Sequence, residues 1–370
     1  MDERVGLGTI LAQWGRIGCI GFGGPPTHIL LLRQLCVHRR GWLTAEEFED
    51  GIAATNLLPG PASTQLAIFC AWRLRGIPGA LVGAVGFICP GLVVILALAA
   101  LFLSGTPPLW VTGAAAGAGA AVAAVAVHAA VGLIPASWTR ARNHGRWIAY
   151  LLLGAAATVL FGPWVVLVLA GCGFVEVTWR TRTARSFAFP LVGGIAGGLP
   201  WVALKVGALS YGGGFVIIPL MQADAVDHYH WMTGAQFLNA VALGQITPGP
   251  VVQTVAVVGY AAGGLSGGLL ASLLAFAPSL LFVLIGGPRF ERLRASAAAQ
   301  SFLDGAGPAA IGAIAGSAVP LGLTLHHPWQ AIVLALAALW LLLLRRGVVP
   351  ALLGAAVLGV GAALAGLTVG

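Results

Sequence analysis

Residues 59–61 and 248–250 both read Pro-Gly-Pro, and each triplet interrupts a stretch that is otherwise apolar. The triplets lie 189 positions apart, and a shift of 189 sets "GFGGPP" on "SYGGGF" and continues without a gap for over sixty residues. Gly23 falls on Gly212, Gly24 on Gly213, Trp42 on Trp231, Thr44 on Thr233, Phe48 on Phe237, Gly79 on Gly268 and Phe87 on Phe276. Apolar composition alone does not align Trp, Thr and Pro. The chain therefore reads as an internal duplication with halves at 1–186 and 187–370, and its fold must house two copies of one broken-helix unit.

The setting for those copies is lipid. The 370 residues are 59% hydrophobic and 8% charged, against about 25% charged in a soluble domain, and mean hydropathy is +0.94. Runs such as 78–103 and 329–344 approach or exceed the roughly 20 residues that span hydrocarbon as a helix. This predicts an all-α, polytopic, multi-pass protein of the cell inner membrane, with the bilayer as its surroundings. The net charge of +8 does not indicate nucleic acid, because almost every Arg sits in a short loop beside an apolar segment. The start "MDERVGLG" lacks the basic region and small-residue cleavage site of a signal peptide, so the first span is expected to serve for insertion. Cys19, Cys36, Cys70, Cys89 and Cys172 are scattered among apolar segments, which indicates neither a disulfide nor a metal site.

Charge orients each copy, since cytoplasmic loops collect Lys and Arg. The loop after the first glycine motif holds Arg33, Arg39 and Arg40, whereas its counterpart in the second copy has no Lys or Arg and carries Asp224 and Asp227. Further on the pattern reverses: 104–108 is uncharged, and 288–294 holds Arg289, Arg292 and Arg294. The two repeats are thus expected to be inverted. The first Pro-Gly-Pro segment is basic at both ends, with Arg39 and Arg40 before it and Arg73 and Arg75 after it, as in a re-entrant hairpin. Spans are expected at 8–32, 77–103, 109–134, 147–161 and 163–179, then at 200–222, 266–287, 302–322, 329–344 and 349–368. That is five per half plus one hairpin each. The layout leaves only Arg4, Arg16 and Lys205 outside cytoplasmic clusters.

Proline removes a backbone donor, so each triplet frees carbonyls and amides that lipid cannot satisfy. Such backbone persists inside protein or beside a watery cavity, and inverted-repeat transporters place it at the midplane with helix N-termini facing anions. A helix starting after Pro61 carries Ser63, Thr64 and Gln65 in its first turn, and Gln253 and Thr254 occupy the turn after Pro250. The clusters Gly21, Gly23, Gly24 and Gly212, Gly213, Gly214 either let helices pack closely or unwind them; they lack phosphate-loop spacing. Arg16 and Lys205 are also 189 apart. An intramembrane charge costs at least ~2.5 kcal/mol and marks a pathway or a partner unless it snorkels to the interface. Carboxylates are scarce at depth, with Glu176 and Asp304 near span ends and Glu46, Glu47, Glu49 and Asp50 in the basic loop. Such a core suits an anion better than a cation.

The stretches "GFGGPPTHI", "RRGWLTAEEF", "NLLPGPASTQLAI" and "GIPGALVG", with "SYGGGFVIIPL", "WMTGAQFLNAVALGQITPGPV" and "GGLSGGLLA", resemble the chromate ion transporter family in its long two-domain form. The resemblance covers 14–92 and 203–283. It implies secondary transport of chromate out of the cytoplasm, with sulfate as a competing anion, driven by the proton-motive force and conferring chromate resistance. The family pattern matches Arg16, Gly23, Gly24, Pro25, Trp42, Asn56, Pro59, Gly60, Pro61, Lys205, Gly212, Gly213, Pro248, Gly249 and Pro250. It departs at "VDHYHWMT", where His228 and His230 stand in place of Arg or Lys. The expected substrate site lies between the hairpin tips. Backbone amides, Asn56, Ser63, Thr64, Gln65, Gln245, Thr247 and Gln253 would hold a tetrahedral dianion, Arg16 and Lys205 would supply charge, and Glu47 or Glu49 would carry the coupled proton. No cofactor is implied, and a homodimer is left open. Uptake of sulfate or molybdate is the rival within transport. A membrane enzyme acting on lipid phosphates would need a nucleophile or an acidic metal cluster that the apolar segments do not offer.

Overall fold

The structure, a computed structural model, describes residues 5–22, 24–55, 58, 60–103, 107–161, 165–181, 198–210, 217–286 and 296–369. Every regular element among them is helical, and five helices are long and apolar enough to cross a bilayer. The protein is an all-α, multi-pass membrane protein. Its first half runs α1 (Leu7–Ile20), α2 (Pro25–Arg33) with a π-helical continuation Gln34–Arg39, α3 (Ala45–Thr55), α4 (Ala62–Phe102), α5 (Leu109–Arg140), α6 (His144–Phe161) and α7 (Val165–Thr181). The second runs α8 (Leu199–Leu209), α9 (Ile217–Gln222) with a π-helical continuation Ala223–His228, α10 (Gly234–Ile246), a 3-10 turn Val251–Gln253 leading into α11 (Thr254–Gly286), α12 (Ala297–Leu323), α13 (Pro328–Ala338) continued as Leu339–Leu343, and α14 (Val348–Leu364). The two early π-helical segments are 189 residues apart at both ends.

The expected spans 8–32 and 200–222 are each divided and folded back. Residues 205 and 224 would be about 28 Å apart on one continuous helix at 1.5 Å per residue, yet Lys205 and Asp224 form an ion pair. In the first half Trp14 stacks on Trp42 with ring centroids 6.4 Å apart, and Gln13 and Arg39 line one cavity. Thus α1 and α8 are each packed beside the π-helical segment that follows them. Proline at the start of α2 and an extended turn at Gly24 (φ 77°) let the chain reverse in the first half.

The Pro-Gly-Pro segments form helical hairpins. At 1.5 Å per residue α3 is about 16 Å long and the first arm of α4 about 20 Å, each short of the roughly 30 Å of hydrocarbon. Phe69 and Leu66 of that arm pack on Gly51 of α3, and the open end is closed by an ion pair between Glu47 and Arg73. The arm ends at Gly76 (φ 60°), after which α4 continues as a full span; Gly264 (φ 64°) does the same in α11. Those kink glycines are 188 apart rather than 189, as are Pro90 and Pro278 inside the long helices. The gap-free alignment expected through Gly79/Gly268 and Phe87/Phe276 therefore loses one residue after the second triplet, where the tighter 3-10 turn replaces α-helix.

The centre of the molecule is α4 against α11, with α1 on α4 and α8 on α11. Outside it α5, α6 and α7 of the first half interleave with α12, α13 and α14 of the second. Small residues make this closeness feasible: a Cβ on Gly113 would lie 2.7 Å from the Gly359 carbonyl oxygen, and one on Gly316 would lie 2.6 Å from that of Ala155. Arg180 bridges Glu176 (2.7 Å) and Asp304 (2.6 Å), tying α7 to α12.

Lys205 and Asp224 have side chains only 12% and 9% exposed, so removing one partner strands a buried charge. Lys205→Ala is expected to destabilise the protein by about 3–5 kcal/mol. The double replacement Lys205→Met/Asp224→Leu recovers most of that loss, as thermal unfolding in detergent will report.

Candidate functional site

Three helix breaks meet at the α4–α11 contact: the two Pro-Gly-Pro tips and the end of α1. Pro61 caps α4: its carbonyl accepts the amides of Thr64 (2.9 Å) and Gln65 (3.0 Å), and the first turn buries Ser63, Thr64 and Gln65 to 2% exposure or less. Gly60 (φ 123°) and Gly249 (φ 101°) hold conformations open to glycine, and Gln65 and Gln253 fold back against these glycines. The two glutamines are 188 apart, so they are structural counterparts.

Each tip docks on the long helix of the other half. A Cβ on Gly60 would lie 3.1 Å from Ser279 Oγ of α11, next to Pro278. Gln253 donates its Nε2 to the Ile88 carbonyl of α4 at 2.8 Å, and Gly91, next to Pro90, leaves room for the Pro248 carbonyl and the Gln253 side chain. The end of α1 joins the second tip, because the Gly21 carbonyl accepts the Gly249 amide (3.0 Å) and His28 Nε2 (2.8 Å). That carbonyl can only accept, so His28 carries its proton on Nε2, and Nδ1 accepts the Ser63 hydroxyl at 3.2 Å. His28 is fully buried and sits edge-on to Phe87, with ring centroids 5.0 Å apart.

Within this shell some hydrogen-bonding groups are engaged and others are not. The Thr247 hydroxyl donates to the Leu243 carbonyl at 2.8 Å, and Ser63 is taken by His28. Thr64 Oγ1, Ser210 Oγ, Ser279 Oγ and Gln245 Nε2 are buried without a partner among the described residues, as is the acceptor Gln253 Oε1. All four can donate, and each belongs to a helix break or packs on one. Buried polar groups are almost always hydrogen-bonded, so four unsatisfied donors point to an acceptor the protein itself does not supply.

The expected cations are not at the tips. Lys205 is neutralised by Asp224. Arg16 is on the outer face of α1, where it lines a cavity of about 90 Å³ with Gln13, Gln34 and Arg39. Gly24 lies beside the second tip, 3.9 Å from Val251 when given a Cβ. Gly23, Asn56, Pro59, Gly212 and Gly213 lie outside the described residues. His28, Gly91, Ser210 and Ser279 escaped the sequence reading. His28 stands in "GFGGPPTHI", Ser210 is 189 residues from Gly21, and Ser279 is matched to Gly91 once the shift falls to 188.

Of the two acids expected to carry a proton, Glu47 is held in place. The Thr44 amide donates to its carboxylate at 2.9 Å and Arg73 pairs with it, which keep the carboxyl below its usual range although partial burial opposes this. A group pinned in the charged form serves as a clamp on the hairpin and is poorly suited to proton carriage. Glu49 is half exposed and pairs with Arg33 at 2.9 Å.

The sequence model described as chromate transporter matches the chain twice, at residues 8–176 and 198–365. A chromate transport protein of Cupriavidus metallidurans is 33% identical over 324 residues, 83% of this chain and 80% of the relative. A probable chromate transport protein of Synechococcus elongatus is 27% identical over 346 residues, 88% of this chain and 86% of the relative. An uncharacterized transporter of Methanocaldococcus jannaschii is 28% identical over 319 residues, 77% of each. No solved structure matches the chain.

An unsatisfied buried hydroxyl costs roughly 1–3 kcal/mol, so Thr64→Val and Ser279→Ala are each expected to raise the melting temperature of the ligand-free protein. Glu47 behaves oppositely. Its folded pKa is below the unfolded value of about 4.3, so its stabilisation is present above that pH and is lost as pH falls through the folded value. Glu47→Gln should therefore speed hydrogen exchange in α3 at pH 7, with a difference from wild type that vanishes in strong acid.

Proposed function

The chain belongs to the chromate transporter family, and on that premise we propose that it exports chromate from the cytoplasm by alternating access, with the dianion held between the two hairpin tips. The observation that carries this is the set of four buried, unpartnered donors: Thr64, Ser210, Gln245 and Ser279. A tetrahedral oxyanion accepts on every oxygen. Neutral donors and helix starts stabilise it without a buried countercharge that would hold it too tightly to release. Backbone at Gly60 and Gly249 completes the cage on our reading.

Alternating access asks for two halves, 1–186 and 187–370, in opposite orientation. Supporting that arrangement, Leu96, late in α4, packs at Gly268, early in the second arm of α11, as matched helices do when they run antiparallel. The cross-docked tips then form the seam on which the halves rock. Export of a dianion runs with a negative-inside potential, at about 4.6 kcal/mol for two charges at 100 mV. Entering protons add to this drive, and of the two acids Glu49 is our choice of carrier: it is the more exposed, although it too is paired, with Arg33.

Inside-out vesicles energised positive inside should accumulate labelled chromate, and excess sulfate should slow it. Gln245→Leu or Thr64→Val should lower the rate at least tenfold while membrane expression stays level. With the potential clamped at zero and only a pH gradient imposed, continued accumulation supports proton exchange, and its loss leaves the potential as sole drive. Uptake confined to right-side-out vesicles would overturn export.

A further inference from the structure

The cavity between α1 and the π-helical segment Gln34–Arg39 has no role in the cage described above, yet four residues with donor side chains line it, two half-buried glutamines and two exposed arginines. Arg16, Arg39, Gln13 and Gln34 line it, and none of them has a hydrogen-bond or ion-pair acceptor among the described residues. Two arginines lining one cavity with no acid beside them make a setting that favours an anion.

The second half shows what the matching place holds. Arg16 corresponds to Lys205 and Leu35 to Asp224 under the shift of 189, and there the Asp224 carboxylate sits against the ammonium. Where the second half has gained an acid, it has lost both glutamines and exchanged the arginine for a histidine: Val202, Ala223 and His228 stand at the places of Gln13, Gln34 and Arg39. One copy carries its own anion; the other has the donors and an apolar Leu35 where the carboxylate would be.

We propose that the Arg16–Arg39 cavity is a second anion site, which takes a free divalent tetrahedral oxyanion from the side of the basic loop. Two cations match a charge of −2, whereas a lipid phosphodiester brings only one negative charge. Ile20 also lines the cavity, and the next residue, Gly21, is bonded to the second hairpin tip. The site therefore lies about one and a half helical turns, roughly 8 Å along α1, from the tips. Its place as a waiting position for the transported ion rests on the proposed function, but its binding of an oxyanion does not.

The test is equilibrium binding of labelled sulfate to the full-length protein in neutral detergent. Wild type should bind two sulfates per chain. Leu35→Asp, which installs the carboxylate found in the second half, and Arg39→Gln should each bind one, with the lost site weakened at least tenfold and the melting temperature of Leu35→Asp not reduced. Gln245→Leu should remove the other sulfate and leave this one. A single sulfate in wild type that survives both Leu35→Asp and Arg39→Gln would overturn the proposal. So would protection by phosphatidylglycerol vesicles but not by sulfate, with that protection lost in Arg39→Gln. Loss of the Gln245-dependent sulfate alone would instead count against the cage at the tips.

Discussion

Backbone amides and carbonyls released inside a bilayer must find partners in protein, and the placement of these helices follows from that requirement. Each Pro-Gly-Pro triplet ends a helix at depth, and each tip is met by the long helix of the opposite half: Gln253 by Ile88, and Gly60 by Ser279. The Gly21 carbonyl at the end of α1 is met by Gly249 in the same way. Each half satisfies part of its own breaks, as His28 does for the Gly21 carbonyl, and the contacts across the halves add to this, so the halves interlock at the point where the backbone is most polar. What is left unmet there is a small set of polar atoms, most of them donors, and on the proposed function that remainder is what an anion would engage.

The surrounding helices serve the same requirement through packing. Stretches of Ala and Gly in α5 and facing glycines in α6, α12 and α14 bring backbones close enough to hold the centre without bulky side chains. Charge is kept to the margins, where Glu47–Arg73 closes the first hairpin and Arg180 links α7 with α12. The two halves differ most in how they treat their intramembrane cation. Lys205 is neutralised from within, and Arg16 is not.

Much of this was legible in the residues. The repeat, the hairpins and the burial of Thr64 and Gln245 beside the breaks follow from proline chemistry and a fixed shift, because proline and glycine act on the backbone wherever they stand. The fold-back of α1 and α8 was hidden, since hydropathy reads 8–32 and 200–222 as unbroken apolar runs and does not register a reversal at glycines. The pairing of Lys205 depended on that reversal. Ser279 stayed out of view because one residue is lost after Pro250, and a shift of 189 sets Pro90 against Ser279 where 188 sets it against Pro278. His28 carried no charge pattern or spacing signal, and only its contacts with Gly21 and Ser63 reveal it.

The account's central claim is that a tetrahedral dianion occupies the space between the hairpin tips. Selenate has the shape and charge required, and selenium scatters anomalously. Crystals of the wild-type protein grown with selenate should show an anomalous peak within hydrogen-bond distance of Thr64 Oγ1 and Ser279 Oγ, absent from crystals of the Thr64→Val/Ser279→Ala variant. A protein that transports selenate yet shows no peak at the tips would contradict it.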